Sequence, residues 1–475
     1  MKKKILTVLS LSVFLMGVTS CQNKKPEEPK DIEVTISEDC PKMVECGKTI
    51  TLLADITNSK ENVTWSIDDP LVGTIDENGV FKGLTSGTVH ATATSIENPE
   101  KSDEVSISVK NNTLIEVKIT NRISSIKVGD EVTLNASIEN DTTNSGIGWQ
   151  VNNEALGSID DNGKLKIIQQ GIEKKIIVTA YSLINPNAYE DITIDIAPSS
   201  DGKTQIDNQV ETKSDYKLVF LDNFNGKRLN KANWEVMTGT GTKYGVGDGW
   251  GNGEQQFYLE DNLKATDGNL VITAKREKGR NDTRGKTYTS GRIRSKDKVS
   301  YTYGRIEAKI SCPFGNGLWP AFWMLPDNTS SSMYGGWPNS GEIDIMEARG
   351  REHFSIDGTI HFAEEETGNH TWLNGTYVFP LDQDISQEHV YAVEWEEGSI
   401  KWYVDDNLYY TCDATQNKWT IQGDDEFPKP FDQDFHILFN MAVGGNYDGN
   451  RLPDNKDLPA RMKVDYVKWF KKGGN

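Results

Sequence analysis

The chain has few cysteines, few histidines, a deficit of positive charge and one long apolar run. Its 51 lysines and arginines stand against 71 acidic residues, and the net charge of −20 disfavours nucleic acids and sulfated polysaccharides as partners. The five cysteines show no zinc-site spacing. The apolar run lies at the N-terminus and no second one follows it, so no membrane-spanning segment is expected in the rest of the chain.

The N-terminus has the pattern of a secretory signal. Three lysines precede an apolar run at residues 5–18, which is too short to span a bilayer comfortably. The run ends in Val-Thr-Ser-Cys21, which resembles the lipobox of bacterial lipoproteins. We therefore expect a signal peptide at 1–21 with lipidated Cys21, a tether at 22–30, and a secreted protein that a lipid anchor holds to a membrane, at the outer membrane or cell surface. An ordinary cleaved signal with an incidental cysteine is the alternative.

Four cysteines remain after Cys21. Cys40 and Cys46 are close enough in sequence to close a small disulfide loop in an oxidising compartment. Cys312 and Cys412 are expected to be buried thiols.

An internal repeat occupies the first part of the chain. Trp65 recurs as Trp149, 84 residues later, and Gly-Thr-Ile-Asp-Glu-Asn-Gly79 recurs as Gly-Ser-Ile-Asp-Asp-Asn-Gly163 at the same spacing. Short alternating runs between Asn-Gly turns predict strands, and several strands in each repeat predict a β-sandwich with the tryptophan in its core.

The repeat gives two modules, at residues 31–110 and 113–198, and the polar segment 199–214 is expected to be a linker. The modules resemble bacterial immunoglobulin-like group 2 domains. Their position behind a lipid anchor favours a spacer, and a carbohydrate-binding module is the alternative.

The region from Asp215 onward is richer in aromatics and holds ten of the twelve tryptophans. Alternating segments continue and long amphipathic helices are hard to find, which predicts one large sandwich or jelly roll. The predicted fold is therefore all-β: two Ig-like sandwiches followed by one large β-sandwich or β-jelly roll at 215–472.

Three carboxylates, Glu342, Asp344 and Glu347, crowd one strand-like segment. In a regular strand, Glu342 and Asp344 share a face and Glu347 points to the other. One extra residue between Asp344 and Glu347, accommodated as a β-bulge, would return Glu347 to the same face. Crowding raises carboxyl pKa values, and a glycosidase needs one ionised and one protonated carboxyl. Spacing on one face favours a retaining mechanism, and a strand with solvent-facing acids is the alternative.

Aromatic and amide residues accompany these carboxylates. Trp319 and Trp323 offer flat faces for stacking on sugar rings, with core packing as the alternative. The glycine-rich segment from Trp250 to Tyr258 carries amide and carboxylate groups that suit sugar hydroxyls, and it lacks a phosphate-binding pattern.

Taken in order, these segments resemble glycoside hydrolase family 16, in its laminarinase-like branch. The matching segments are 218–226, 250–258, 267–272, 290–294, 303–310, 317–325, 341–347, 358–361 and 440–445. The resemblance implies that residues 215–472 form a concanavalin-like β-jelly-roll catalytic domain with a concave substrate groove. It also implies that Glu342 is the nucleophile, Glu347 the general acid and then base, and Asp344 the hydrogen-bond partner that tunes the nucleophile.

The resemblance extends to binding residues. It implies substrate-binding roles for Trp319, Trp323, Asn252, Glu254, Arg292, His361, Trp250 and Asn440. It implies no cofactor for catalysis. The family often carries a structural calcium ion, and Asp465 matches one of its ligand positions.

The expected reaction is endo-hydrolysis of β-1,3-glucan (laminarin) or mixed-linkage β-1,3/1,4-glucan, a polysaccharide substrate. Agarases and porphyranases share the bulged motif and are the alternative within the family. A non-catalytic glycan-binding surface lipoprotein is the alternative outside it, although a pure binder has no need of three crowded carboxylates.

Overall fold

The structure is a computed structural model that describes residues 31–110, 115–141, 144–277, 280–327, 334–364, 367–413 and 429–473. The signal segment, Cys21 and the tether lie outside these ranges. The described residues form strands and short 3-10 turns without an α-helix, so the predicted all-β class is confirmed. Within the same ranges, no helix is long and apolar enough to cross a membrane.

The first unit consists of nine strands in three small sheets, with strand orders β1-β4, β2-β9-β8-β5 and β3-β7-β6. Its strands are β1 Glu33–Ile36, β2 Met43–Glu45, β3 Thr49–Thr51, β4 Ala54–Thr57, β5 Val63–Ile67, β6 Gly73–Ile75, β7 Val80–Gly83, β8 Gly87–Ser95 and β9 Ser102–Lys110.

The second unit repeats this topology strand for strand, with orders β10-β13, β11-β18-β17-β14 and β12-β16-β15. The internal repeat of the sequence is therefore a repeat of the fold. Its strands are β10 Glu116–Ile119, β11 Ser125–Lys127, β12 Glu131–Thr133, β13 Ala136–Glu139, β14 Ile147–Val151, β15 Gly157–Ile159, β16 Lys164–Ile167, β17 Lys175–Ser182 and β18 Tyr189–Ala197.

The repeated Asn-Gly turn packs against the repeated tryptophan. Gly79 and Gly163 both have φ of 76°, and a Cβ at either position would lie 3.0–3.1 Å from the indole of Trp65 or Trp149. The same Cβ would approach a backbone oxygen to 2.6 or 2.4 Å. Only glycine fits such a turn, and each indole is half-buried against the core of its own module.

The third unit begins with a short strand pair and contains β19 to β37. Its strands are β19 Thr212–Lys213, β20 Tyr216–Asp222, β21 Glu235–Val236, β22 Gln256–Tyr258, β23 Leu263–Thr266, β24 Asn269–Arg276, β25 Tyr288–Ser290, β26 Arg292–Arg294, β27 Ser300–Tyr301, β28 Gly304–Ser311, β29 Leu318–Pro326, β30 Glu342–Glu347, β31 Ser355–Ala363, β32 His370–Val378, β33 His389–Glu396, β34 Ser399–Val404, β35 Asn407–Asp413, β36 Phe435–Val443 and β37 Ala460–Lys472. The 3-10 turns are Thr242–Tyr244, Asp248–Gly251, Glu260–Asn262, Asn281–Thr283, Asn446–Asp448 and Asn455–Asp457.

Two large sheets form this unit. The eleven-stranded sheet is built on β22-β25-β24-β37-β28-β33-β34-β35, and the eight-stranded sheet runs β21-β26-β36-β29-β30-β31-β32, with β27 paired to β36. Apolar side chains from both sheets meet in one core, which includes Phe322, Ile343 and Met346 from the eight-stranded sheet and Ile306 and Trp469 from the other. The opposite face of the eight-stranded sheet is therefore left for polar side chains.

Residues 199–214 differ from the expected free linker. The Ile206 amide donates to the Ile168 carbonyl at 2.9 Å, Val210 is buried, and β19 pairs with β20. Ile206 of this segment packs against the core of the second module, and the end of the segment pairs with β20 of the third unit.

The second module is fastened to the third unit. Asn153 Nδ2 donates to the Val219 carbonyl at 2.8 Å, and Asn230 Nδ2 donates back to the Val151 carbonyl at 2.9 Å. A small apolar cluster joins the two units through Ala155, Tyr216, Leu218 and Phe470. These contacts hold the second module against the third unit instead of leaving it free on a flexible linker.

The first module also contacts the third unit, through charged groups. Asp68 lies 3.6 Å from Lys275 Nζ, and its backbone carbonyl accepts a hydrogen bond of 3.1 Å from Arg461. His90 lies between Asp68 at 3.1 Å and Glu277 at 3.7 Å.

The four cysteines in the described ranges are free thiols. Cys40 and Cys46, which are close enough in sequence for a small disulfide loop, are not bonded to each other, and Cys40 Sγ accepts a hydrogen bond from the Leu53 amide at 3.1 Å. Cys312 and Cys412 are buried, as expected.

Candidate active site

Strand β30 contains one residue more than its neighbour between Asp344 and Glu347. Asp344 pairs with Thr359 and Glu347 pairs with Asp357, so three steps on β30 match two steps on β31. The register also shifts against β29. The bulge returns Glu347 to the face that carries Asp344 and, two positions earlier, Glu342. The predicted β-bulge is confirmed.

Half-buried Glu342 and buried Asp344 form a pair of carboxyl groups. Burial, followed by the charge of Asp344, raises the pKa of Glu342 to about 8, and Trp337 Nε1 donates to its Oε2 at 2.7 Å. Burial raises the pKa of Asp344 to about 8, opposed by a hydrogen bond with Glu342. Both carboxyls therefore keep a proton to higher pH than isolated carboxyls do, and the two titrate as a pair.

Glu347 is the more strongly protonated member of the cluster. Burial and then the charge of Asp344 raise its pKa well above the usual range. Trp319 Nε1 donates to its Oε1 at 2.9 Å, and Tyr447 stacks on Trp319 with ring centroids 4.9 Å apart. Glu347 is therefore held in its protonated form, which suits a proton donor.

His361 faces the pair from β31. Its Nε2 lies 3.1 Å from Asp344 Oδ2, an ion-pair approach that is not aligned as a hydrogen bond, and its Nδ1 lies 2.8 Å from His370 Nε2. Glu342, Asp344 and His361 have ligand-type atoms within 4.8 Å of one another, close enough to enclose a cation. Their actual neighbours are an indole N–H and a second imidazole, which suit a cluster that shares protons.

Arg292 occupies the other side of the cleft, between two indoles. Its guanidinium lies 4.4 Å from the ring centre of Trp250 and 4.9 Å from that of Trp323. Trp323 Nε1 donates to Asn440 Oδ1 at 2.7 Å, which links these residues across β29 and β36. Trp323 is half-buried, whereas Asn440 and Arg292 are buried.

Trp250 differs from its expected role as a sugar-binding surface. It is 5% exposed, with Tyr244 stacked on it at 5.2 Å and Arg292 against it. Since its ring faces are covered by protein, Trp250 supports Arg292 rather than offering a platform to a sugar.

Glu254 and Asn252 lie at the same end of the cleft with different surroundings. Glu254 is 2% exposed, and its Oε2 accepts from Gln256 Nε2 at 2.6 Å and from the Tyr258 hydroxyl at 3.1 Å. Asn252 is exposed. Of these two residues, Asn252 is the one that presents its side chain to the surface, while Glu254 braces the loop.

Asp465 does not lie in a calcium-like environment. Its Oδ2 is 3.0 Å from Lys309 Nζ, and the same ammonium is 2.7 Å from Glu388. The ammonium group of Lys309 thus lies between the carboxylates of Asp465 and Glu388 and pairs with both. The donor set around Asp465 does not fit the expected calcium ion, because its charge is already balanced.

Four residues that contact the site were missed in the sequence. Trp337 precedes Glu342 by five residues in a Gly-Gly-Trp-Pro loop, and Tyr447 follows the Gly444-Gly445 turn. His370 and Trp372 alternate along the edge strand β32. Aromatic residues in glycine-rich loops near the carboxylates were a usable signal for the first two, whereas the position of β32 depends on the sheet order.

Comparisons with known proteins identify the family to which the chain is similar. The model of glycosyl hydrolases family 16 matches residues 252–468, and that of the bacterial Ig-like domain (group 2) matches residues 33–105. The chain is 38% identical over 339 residues to Glucan endo-1,3-beta-glucosidase A1 of Niallia circulans, a match that covers 68% of the chain and 45% of that protein. It is 38% identical over 264 residues to Beta-glucanase of Rhodothermus marinus, covering 54% of the chain and 85% of that protein.

Among solved structures, endo-beta-1,3-glucanase from Pyrococcus furiosus aligns at 38% identity and a TM-score of 0.47. That alignment covers 54% of the chain and 94% of the solved one. The chain therefore spans most of the Rhodothermus and Pyrococcus proteins but less than half of the Niallia protein.

Proposed function

Because the chain belongs to glycosyl hydrolase family 16, we propose that it is a retaining endo-hydrolase of β-1,3-glucan in which Glu342 is the nucleophile and Glu347 the acid/base. The observation that carries the proposal is the bulged strand β30. It places three carboxyls on one face and gives them unequal tendencies to hold a proton.

The mechanism follows from these protonation states. Glu347 gives its proton to the glycosidic oxygen as that bond breaks, and the Glu342 carboxylate attacks the anomeric carbon to form a glycosyl ester. The ionised Glu347 then takes a proton from water, which attacks the same carbon and releases Glu342. Asp344 holds the proton of the carboxyl pair, so that Glu342 is free to act as a carboxylate.

Retention is supported by the position of the two glutamates on one face of a single strand. A retaining enzyme needs its carboxyls about 5–5.5 Å apart, whereas an inverting enzyme separates them to admit a water molecule. Asp344 lies between the two glutamates on that face, and its charge raises the pKa of each, so both carboxyls approach the same central group.

The substrate assignment is supported by the two relatives named above, which are a glucan endo-1,3-beta-glucosidase and a beta-glucanase. Exposed or half-buried indoles on both sides of the carboxyls fit the apolar faces of glucose units. Mixed-linkage β-1,3/1,4-glucan is a second substrate within the same proposal, because a β-1,3-linked glucose beside the cut satisfies the same site.

The test is a reducing-sugar assay on laminarin, lichenan, agarose and carrageenan, with proton NMR of fresh products. We expect hydrolysis of laminarin, products that begin as the β-anomer, and rates several orders of magnitude lower for Glu342→Gln and Glu347→Gln. An initial α-anomer would exclude retention. Hydrolysis of agarose alone would move the enzyme to another substrate class, and binding without products would make it a glycan-binding protein.

We also propose that Cys21 anchors the protein to a membrane through lipid and that the two modules hold the catalytic domain away from it. The contacts of both modules with the third unit suit a rigid support. Cys21→Ala should move the protein from membrane to soluble fractions, and continued membrane association would refute the anchor. Affinity electrophoresis of the modules in laminarin or lichenan gels should show no retardation, since clear retardation would make them binding modules.

A further inference from the structure

Five side chains form a closed circuit around the carboxyl pair. Trp337 donates to Glu342 at 2.7 Å and contacts the His370 ring, with centroids 4.6 Å apart. His370 Nε2 lies 2.8 Å from His361 Nδ1, and His361 Nε2 lies 3.1 Å from Asp344 Oδ2. The hydrogen bond between Asp344 and Glu342 closes the circuit.

Within the described part of the chain, His370 is the member of this circuit without a carboxyl contact. It lies at the start of β32, the edge strand of the eight-stranded sheet, between Trp337 and the ring of Trp372 at 5.6 Å. Trp337 and Trp372 are 51% and 55% exposed, so two partly open indoles rather than burial hold the imidazole. His370 therefore connects the donor of Glu342 with the histidine that faces Asp344.

The surroundings select one tautomer of His361. Asp344 Oδ2 is buried, and His361 Nε2 is the donor that faces it among the described residues. Whether Asp344 is ionised or carries its proton on the oxygen that faces Glu342, its Oδ2 can only accept. An N–H at His361 Nε2 is therefore favourable, and in the neutral imidazole it leaves Nδ1 as an acceptor. The proton between the two rings then belongs to His370 Nε2, which donates to His361 Nδ1.

We infer that His370 is a positioning residue that fixes the tautomer and ring orientation of His361, and through it the hydrogen-bonding of Asp344 beside the nucleophile. The inference rests on the proposed function and adds a residue of the edge strand to its site. His370 itself need not touch the reacting atoms. Its role is to keep the Nε2–H of His361 directed at Asp344 while the substrate binds and the contact tightens.

The kinetic test compares His370→Ala with His370→Gln. Loss of a positioning contact is expected to lower kcat by about 10- to 100-fold, with KM within a few-fold of the original. The glutamine side-chain amide reaches nearly as far as imidazole Nε2 and also donates, so His370→Gln should recover most of the rate. A matched control is His353→Ala, since His353 also lies between two aromatic rings, Phe314 and Phe354, without a carboxyl partner there.

The tautomer is read directly by NMR of ring-15N-labelled histidine, which requires the assignment of only six histidines. In the unmodified protein, His361 should show the Nε2–H form, and His370→Ala should give an exchanging mixture, with the fold checked by thermal unfolding. This readout needs no substrate, so it remains decisive if laminarin proves not to be the substrate. A rise in KM alone, failure of glutamine to recover the rate, or an unchanged His361 tautomer would each overturn the inference.

Discussion

The indole Nε1 of Trp319 donates a hydrogen bond of 2.9 Å to Oε1 of Glu347. The bond opposes the burial that raises the pKa of this carboxyl, because an N–H donor stabilises its ionised form. The indole that we propose stacks on a sugar thus also helps set how readily the acid releases its proton.

Replacing Trp319 by Phe should therefore move the alkaline limb of the kcat/KM profile to higher pH. The stacked ring is retained but the N–H is lost, so the pKa of Glu347 rises and the acid stays protonated to higher pH. Trp323→Phe is the control, since its N–H is donated to Asn440 rather than to a carboxyl. An alkaline limb that stays in place for Trp319→Phe would mean that Glu347 does not determine it.

The sequence predicted the carboxylate cluster well because its signal is local. Three acids within six residues of a strand-like segment mark the site. Because Glu347 follows Asp344 by three positions, a bulge is required if all three acids are to share one face. The contacts of Trp337 and His370 with this cluster could not be read in the same way. They depend on a loop folding back onto its own strand and on β32 pairing at the sheet edge, and neither is encoded in periodicity.

Gly163→Ala should destabilise the second module. Its φ of 76° strains any side chain, and a Cβ would also lie 2.4 Å from a backbone oxygen. Gly202→Ala separates the two effects, because Gly202 has φ of 80° but open space around it. We expect Gly202→Ala to cost about 1 kcal/mol for the left-handed backbone, and Gly163→Ala clearly more, in urea unfolding followed by fluorescence. Equal costs would show that the repeated turn does not press on its neighbours.

Asn153→Ala should loosen the second module from the catalytic domain. The amide donates to the Val219 carbonyl and its oxygen accepts from the Leu221 amide, so truncation leaves buried backbone groups unpaired. We expect a loss of about 1–3 kcal/mol in unfolding free energy. Asn187→Ala, at an exposed site of the same module, should be close to neutral.

The same contacts predict how a shortened chain behaves. A fragment that begins at Asp215 should keep its activity on soluble β-glucan, because the carboxyl cluster lies within it. It should unfold at a lower temperature than the full chain, because Leu218 and Phe470 lose their packing against Ala155 and become exposed to water. A fragment as stable as the full chain would show that the docking contacts contribute little.

For the two modules, the sequence predicted the fold but not the docking to the third unit. The repeated tryptophan and Asn-Gly turn predicted two equal sandwiches, and the structure repeats their topology strand by strand. Their docking was not predictable, because Asn153 and Asp68 look like ordinary turn residues until the third unit is placed against them.

The Asp68–His90 pair predicts that the contact of the first module depends on pH. Burial raises the pKa of Asp68, but the hydrogen bond with His90 and the charge of Lys275 outweigh it and lower that pKa to about 2. Burial lowers the pKa of His90, but its hydrogen bond with Asp68 and the carboxylate charges outweigh this and raise it above the usual value.

The ionised pair should stabilise the contact between about pH 4 and about pH 6.5, the ordinary pKa values of the two groups in an unfolded chain. Below this window, the contribution of Asp68 is lost as the pH falls towards its folded pKa of about 2. Above it, the contribution of His90 is lost as the pH rises through its raised folded pKa. The unfolding temperature of Asp68→Asn should therefore fall furthest below that of the unmodified protein inside the window. The difference should vanish towards pH 2, and at high pH it should shrink without vanishing, because the charge of Lys275 still acts on Asp68 when His90 is neutral. Asp55→Asn, at an exposed site of the same module, should follow the unmodified protein throughout. A constant deficit for Asp68→Asn across the whole range would show that packing, rather than this ion pair, holds the first module in place.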